Sequence, residues 1–416
     1  MLQGWLFYSN SAFWTNDRIQ AFLGGVEVDQ DMLILDLFSE SQPQWQRTNS
    51  YYGKPWIFNE LHDYGGNMGL YGQVENITVN PIAALSNMTS TMVGVGLTME
   101  GQEGNEIVYD LLLDQAWHSQ PLNTSTYFHN WVTDRYAGSS SKPQGLYNAW
   151  EILRTTVYNN TNLTSNAVPK SIFELTPSLT GLLNRTGHHP TTLEYAYSSV
   201  VSAWSNLYNA SKVEPSLWDN PAYRYDLVDT TRQVMGNAFI PMYQSLVAAY
   251  QQSNITNSSS SIVAAGHNLT SFLADIDSVL STNKHFSLYP WLASARAWAN
   301  DTASNSTTAA YLEYNARNQI TLWGPTGQIS DYASKSWGGL VSSYYVSRWT
   351  MFVEYLVATP VSQYNATAFS ARLLSFEEDW QLQTWGQRMG ESYSTTGELA
   401  EVLSSVVNAW PRVFAV

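Results

Sequence analysis

The chain of 416 residues contains no cysteine. That excludes structural disulfides, thiol nucleophiles and every zinc or iron–sulfur site built on cysteine, and it says nothing decisive about redox compartment. Positive charge is scarce: 19 Lys and Arg stand against 34 Asp and Glu, a net charge of −15, and no Lys/Arg run could track a phosphate backbone. A nucleic-acid partner is therefore disfavoured. No apolar run approaches the roughly 20 residues needed to cross a bilayer. Glycine-rich phosphate loops of the G-x-G-x-x-G or G-x-x-x-x-G-K-[ST] type are missing after every strand-like segment, and no G-x-S-x-G elbow marks a serine hydrolase. The seven histidines are scattered, so neither a metal nor a cofactor is implied. His188 and His189, adjacent and beside Pro190, read as ordinary surface loop.

Aromatic mass is abundant instead. With 17 Trp, 26 Tyr and 14 Phe in a composition 44% hydrophobic and 13% charged, the chain has ample material for two or three domains with real cores. Asn-x-Ser/Thr sequons recur at Asn76, Asn87, Asn123, Asn159, Asn162, Asn184, Asn209, Asn254, Asn257, Asn268, Asn300, Asn305 and Asn365. That density suggests a secreted or lysosomal/vacuolar glycoprotein, compositional accident being the alternative. The first residues, Met1 to Tyr8, carry neither a basic stretch nor an uninterrupted apolar one, so no signal peptide is legible there.

The pattern changes near residue 118. Before it, short apolar runs alternate with helical patterns. Strands are expected over Leu2 to Phe7, Met32 to Phe38, Pro55 to Leu61 and Met92 to Leu97, and a helix over Asp17 to Leu23. Continuous apolar strands between helices indicate a parallel sheet covered on both faces, either one small doubly wound sheet or half of a (β/α)8 barrel, and the missing nucleotide-binding motifs favour the barrel half. From Trp117 onward, Leu146 to Tyr158, Leu193 to Tyr208, Tyr223 to Tyr250, Ile262 to Leu280, Tyr311 to Leu322, Leu340 to Val357 and Phe369 to Trp385 each place apolar residues three or four apart. That spacing predicts an all-α domain, giving a division into 1–118 and 119–416.

Carboxylates at strand ends are the informative chemical groups. Glu100 follows an apolar strand and precedes Gly101 and a helix expected near Asn105. On the C-terminal face of a barrel that position suits a nucleophile held ionised by the helix N-terminus; equally, a strand-end Glu often only caps the next helix. Asp36, Glu40 and Glu60 share the ambiguity, with caps or strand-end ion pairs the plainer role, and Glu106 reads as structural. Trp5, Trp56, Tyr64, Tyr71, Trp323 and Tyr332 could offer flat faces to a sugar ring, although single aromatics usually pack in a core. A strand-end Glu among aromatics is what carbohydrate hydrolysis requires.

Particular segments carry a resemblance: Leu2-Gln3-Gly4-Trp5, Leu35 to Pro43, Leu61 to Leu70, Glu100-Gly101 with Asn105 to Tyr109, Leu322 to Pro325 with Gly327, Ile329 and Asp331-Tyr332, Arg224 to Leu227, and Tyr344-Tyr345 before Arg348-Trp349. In number, order and spacing they strongly resemble the lysosomal alpha-N-acetylglucosaminidase family of glycoside hydrolases. The resemblance implies a barrel followed by a helical domain, and a retaining reaction that releases terminal alpha-linked N-acetylglucosamine from a glycan. It assigns the nucleophile to Glu100 and pocket positions to Trp5, Leu37, Leu61, Tyr64, Trp323, Ile329 and Tyr332.

One departure accompanies it. The family's general acid/base is a Glu in an Asn-Glu pair on a strand preceding the one that ends at Trp5, and the chain starts after it; Asn59-Glu60 matches a later strand. The expectation is thus the second half of the barrel plus the helical domain, an incomplete enzyme whose raw sheet edges favour pairing with a missing half or a homo-oligomer. Two alternatives stand beside a hydrolase: a catalytically inactive carbohydrate-binding glycoprotein, and a glycosylated structural or cell-surface protein without a pocket.

Overall fold

A computed structural model describes residues 1–101, 104–138, 142–161, 168–187, 189–256, 258–300, 306–384 and 398–415. Four parallel strands, β1 (Leu2–Gln3), β2 (Ile34–Leu37), β3 (Trp56–Glu60) and β4 (Met92–Leu97), form one sheet in the order β1-β2-β3-β4. Ile34 pairs with both Leu2 and Trp56, and Glu60 pairs with Leu97. Around the sheet lie α1 (Trp5–Ser9), α2 (Asn16–Leu23), α3 (Val74–Leu85) and α4 (Glu106–Gln115).

Three expectations change here. Only Leu2 and Gln3 extend as strand, because Gly4 turns the chain and Trp5 begins a helix. The connection from β2 to β3 carries a short 3₁₀ turn, Ser50–Gly53, in place of an α-helix. Coverage of the sheet is uneven: Trp56 and Phe58, on one face of β3, are fully buried and Ile57 between them is half-buried, while β4 at the edge leaves Val93 exposed and open space beside Gly94. An edge strand has one neighbour fewer to cover it.

The rest is helical: α5 (Thr124–Arg135), α6 (Gln144–Thr155), α7 (Tyr197–Val213), α8 (Pro221–Thr256), α9 (Ser260–Leu280), α10 (Leu288–Asn300), α11 (Ser306–Gln319), α12 (Val346–Ala358), α13 (Ala366–Gln381) and α14 (Leu399–Ala409). Of these, α5, α10 and α14 lacked a sequence expectation, and the last residue of the run expected to Trp385 lies outside the described residues. The 36-residue α8 buries Leu227, Val228, Val234, Met235, Phe239 and Leu246 along its length. It therefore serves as the axis of the helical part. Helix α12 is entered through a π-helical turn, Val341–Tyr345, which swings Tyr344 and Tyr345 inward one turn before Arg348. No described helix is long and apolar enough to cross a membrane.

Both parts share one continuous apolar core. The seam is also hydrogen-bonded: Val74 N–H donates to Tyr158 O (2.9 Å), Asn160 N–H to Gly72 O (3.0 Å) and Leu70 N–H to the Gln233 side chain (2.8 Å). Residues 65–72 are thereby pressed against the helical part, and the candidate site lies beside them.

Candidate active site

The site is built on the turns after β3 and β4. Beyond Glu60 the chain must reverse at once, and buried Glu40 accepts the backbone N–H groups of Leu61 (3.2 Å) and His62 (2.9 Å), holding His62 in the left-handed region at φ +59°. Burial raises Glu40 to a pKa of about 7. It drives buried His62 down to about 3, so that imidazole is neutral, wedged against Tyr71 and Tyr109. Asp63 follows, and its Oδ1 accepts the backbone N–H of Glu100 (2.9 Å). The turn after β3 thus fixes where the chain leaving β4 presents Glu100.

Glu100 itself is exposed, and its carboxylate is held by two donors. Gly65 N–H reaches Oε2 at 2.7 Å from the barrel side. The Tyr332 hydroxyl reaches the same oxygen at 2.5 Å from the helical side. Burial, then the carboxylate of Glu100, raise the pKa of Tyr332 above the usual phenol value, which keeps it a donor. The expectation of a helix N-terminus is corrected: α4 begins at Glu106, after Asn105 in the left-handed region, and the anion is served by a loop N–H and a phenol instead.

The Gly65 position tolerates no side chain. Its φ is +65°, and a Cβ there would stand 2.1 Å from Tyr332 O. Gly65→Ala is expected to cost about 1–3 kcal/mol by urea denaturation, since either the backbone strains or the two parts move apart. A variant as stable as the parent would show that the seam at Tyr332 has room to give.

Of the expected pocket positions, the structure brings four to this group. Leu61 and Tyr64 form a small apolar cluster with Phe38, against which Tyr8 and Tyr332 pack. Trp323 meets Tyr332 edge to face at 5.5 Å. Trp5 and Ile329 are 48% and 43% exposed, and Leu37 is buried in β2; the hydrogen bonds on Glu100 involve none of the three. Trp56 and Tyr71 take the core role that single aromatics usually have: Trp56 is fully buried and stacks on Trp45, and Tyr71 is buried against His62.

Of the other strand-end carboxylates, Asp36 and Glu40 take the capping role, each accepting backbone N–H groups, whereas Glu60 makes neither a cap nor an ion pair among the described residues. Asp36 accepts backbone N–H groups from Gln44 and Trp45 and the Tyr51 hydroxyl, and burial raises its pKa to about 6. Glu60 is fully buried, and neither carboxyl oxygen meets a hydrogen-bond partner among the described residues. Burial, then repulsion from Glu40 and Asp63, push its pKa well above the usual carboxylate value. Glu106 is structural, paired with Arg135 at 2.7 Å.

Sequence reasoning missed three contributors. His189 is not plain surface: its Nε2 lies 3.1 Å from Ser330 O and its ring faces Tyr332; His188 lies outside the described residues. Lys170 and Lys335 are both buried beside the loops of Tyr332 and Gly65, and no motif or periodicity marks either. A cavity of about 630 Å³ lies elsewhere, apolar and lined by residues of α7, α8 and α9 with Arg412 and Val413.

Comparison with known proteins bears on the family and the fold. Residues 1–119 match the alpha-N-acetylglucosaminidase (NAGLU) tim-barrel domain, and residues 127–407 match the alpha-N-acetylglucosaminidase (NAGLU) C-terminal domain. Human alpha-N-acetylglucosaminidase is 38% identical over 359 residues, 86% of this chain and 45% of the human protein. The chain therefore spans about half the length of the curated relative it matches. A family 89 glycoside hydrolase from Clostridium perfringens, solved in complex with PUGNAc, is 25% identical and superposes with a TM-score of 0.81 over 97% of this chain and 44% of that one. The same fold recurs, at 23% identity and a TM-score of 0.83, in the C. perfringens family 89 structure holding 2-acetamido-1,2-dideoxynojirmycin, over 100% of this chain and 44% of that one.

Proposed function

The chain belongs to the alpha-N-acetylglucosaminidase family of glycoside hydrolases, and from that premise we propose that it supplies the nucleophile and pocket for removing terminal alpha-linked N-acetylglucosamine from a glycan. The carrying observation is the geometry of Glu100: an exposed carboxylate with one oxygen held by a barrel N–H and a helical-domain hydroxyl. In this reading residues 1–118 are the second half of a (β/α)8 barrel and residues 119–416 the helical domain. Trp5, Leu37, Leu61 and Tyr64 line the pocket from one side, and Trp323, Ile329 and Tyr332 from the other.

The proposed reaction is retaining. Glu100 attacks the anomeric carbon as the glycosidic bond breaks, a general acid gives its proton to the departing oxygen, and water then cleaves the glycosyl–Glu100 ester. The two donors fix which oxygen of Glu100 is occupied, leaving Oε1 to attack. A retaining site needs its second carboxyl about 5–5.5 Å away. Glu40 and Glu60 are sealed from solvent, so neither is assigned that role.

The burial of those two carboxyls also favours a second reading, a sugar-binding protein without turnover. Hydrolysis of an aryl alpha-N-acetylglucosaminide, with calorimetric titration of N-acetylglucosamine in parallel, separates the two. Turnover supports the hydrolase, binding without turnover the second reading, and neither would overturn both. Tyr332→Phe removes one charge-assisted hydrogen bond, so we expect turnover to fall roughly ten- to a hundredfold with the melting temperature little changed.

We place the protein in a secreted or lysosomal/vacuolar setting. Supporting that, sequons Asn87, Asn123, Asn184, Asn209, Asn254, Asn268 and Asn365 are exposed. Asn76 is less accessible, its side chain donating to Glu40 O, and Asn162, Asn257 and Asn305 lie outside the described residues.

A further inference from the structure

Each of the two donors that hold Glu100 Oε2 sits on a backbone segment gripped by a buried lysine. Lys335 Nζ donates to Gly65 O (2.7 Å) and Gly66 O (2.5 Å), beneath the N–H that meets Glu100. Lys170 Nζ donates to Tyr332 O (3.0 Å), to Ser334 Oγ (3.0 Å) and to Asn67 Oδ1. Asn67 belongs to the turn after β3, whereas Tyr332 and Ser334 belong to the helical part. Lys170 thus ties the two sides of the site together from below, at 4% exposure.

The three partners of Lys170 leave little choice of protonation state. Tyr332 O and Asn67 Oδ1 can only accept, and the Ser334 hydroxyl spends its proton on Glu174 Oε2 (2.8 Å), so it too must accept from Lys170. The Asn67 amide is not free to turn, because its Nδ2 donates to Val168 O at 3.2 Å. An ammonium has three N–H donors for three acceptors. A neutral amine has two, and its lone pair would face the third acceptor in a place that water does not reach.

We propose that Lys170, as an ammonium, is a positioning residue that assembles the Glu100 site by clamping the Asn67 turn to the Tyr332 loop. The idea rests on the proposed role of Glu100 for its catalytic meaning, but the clamp itself does not depend on turnover. The charged groups facing Lys170 are Glu174 on its own segment, Lys335 and Asp331 on the loop around Tyr332, and Arg185 with His189 on the intervening loop. Burial lowers Lys170 to a pKa of about 7; Glu174 and Asp331 pull it up, Lys335 and Arg185 push it down. Below about pH 7 the packed state holds the ammonium.

Hydrogen–deuterium exchange of segments 61–67 and 329–336 at pH 6, corrected for intrinsic rates, tests this without needing catalysis. In Lys170→Met we expect protection of both segments to drop on the order of tenfold together, while segments remote from the clamp keep the protection of the parent. Ser334→Ala, which keeps the ammonium and two of its three acceptors, should lose less, and the exposed Lys284→Met should behave as the parent. Where the parent turns over, Lys170→Met should lower kcat more than it raises KM. The proposal is overturned by a Lys170→Met variant that keeps the protection of both segments or loosens only one of them. Should that variant fail to fold, Asn67→Ala and Ser334→Ala, each removing one acceptor, carry the test, and parent-like protection in both overturns the proposal. Absence of turnover with the loss of protection in Lys170→Met intact would remove the glycosidase reading and leave the clamp standing.

Discussion

Glu100→Gln is expected to lower hydrolysis of an aryl alpha-N-acetylglucosaminide by on the order of a thousandfold or more, the largest functional effect of any single change in the chain. The amide keeps the size of the carboxyl and can still accept from Gly65 N–H and the Tyr332 hydroxyl through its oxygen. What it loses is the negative charge that attacks the anomeric carbon. The melting temperature should therefore stay within a degree or two of the parent, because Glu100 is exposed and buries no charge. Steady-state rates with the aryl glycoside, together with calorimetric titration of N-acetylglucosamine, read both halves of the expectation. A variant that turns over within a factor of about ten of the parent would show that the nucleophile lies elsewhere. Lost turnover with retained sugar binding would instead place Glu100 at the chemical step.

The largest effect on stability is expected at Arg348. Its guanidinium is fully buried, donating to both oxygens of Asp331 (2.8 and 3.1 Å) and to the Thr176 hydroxyl (2.7 Å), with Glu377 at 3.2 Å. Burial alone would raise the pKa of Asp331; the Arg348 charge and hydrogen bonds, with those from Thr176, more than cancel that and leave it below its usual value. Arg348→Met strands two buried carboxylates, and breaking such a pair from one side costs about 3–5 kcal/mol. Urea denaturation at neutral pH measures that loss directly. The sign of the pH dependence follows from the same group. With its folded pKa depressed, Asp331 contributes stability that is fully present above the unfolded value of about 3.9 and disappears as pH falls through the lower folded value. Arg348→Met should abolish that acid-side contribution. Because Asp331 sits at φ +63° next to Tyr332, the same variant should loosen the donor on Glu100 and lower activity more than stability alone predicts. A loss below about 1 kcal/mol would mean that water or rearrangement satisfies the two acids.

The contrast between Glu100 and Arg348 shows what a linear reading can reach. Glu100 could be singled out as a candidate because barrel chemistry gathers at strand ends, and an apolar run such as Met92 to Leu97 announces its own end; only the resemblance gave it the role of nucleophile. The motifs around Trp323 and Tyr332 pointed to the same pocket from more than 200 residues away, through resemblance alone. Arg348 was visible only as part of a matched motif, since nothing in its neighbours says that Asp331 lies against it. Lys170 carried no signal of any kind. Its segment is irregular, so no periodicity marks it as buried, and its partners Asn67 and Tyr332 lie 103 and 162 residues away.

By itself the sequence determined the class of fold, a parallel sheet followed by helices, because alternation of apolar runs and a 3.6-residue period are properties of neighbours in the chain. It also determined the scarcity of cations and the absence of cysteine chemistry, which are matters of composition. Tertiary structure alone decided which aromatics stay at the surface and which fill the core, turning Trp56 and Tyr71 inward while leaving Trp5 exposed. It likewise decided that Asp36, Glu40 and Glu60 end as buried groups without ion pairs, and that the anion at Glu100 is held by Gly65 and Tyr332. Burial and the partners of a charge are set by segments remote in sequence, and those contacts exist only once the two parts of the chain have packed together.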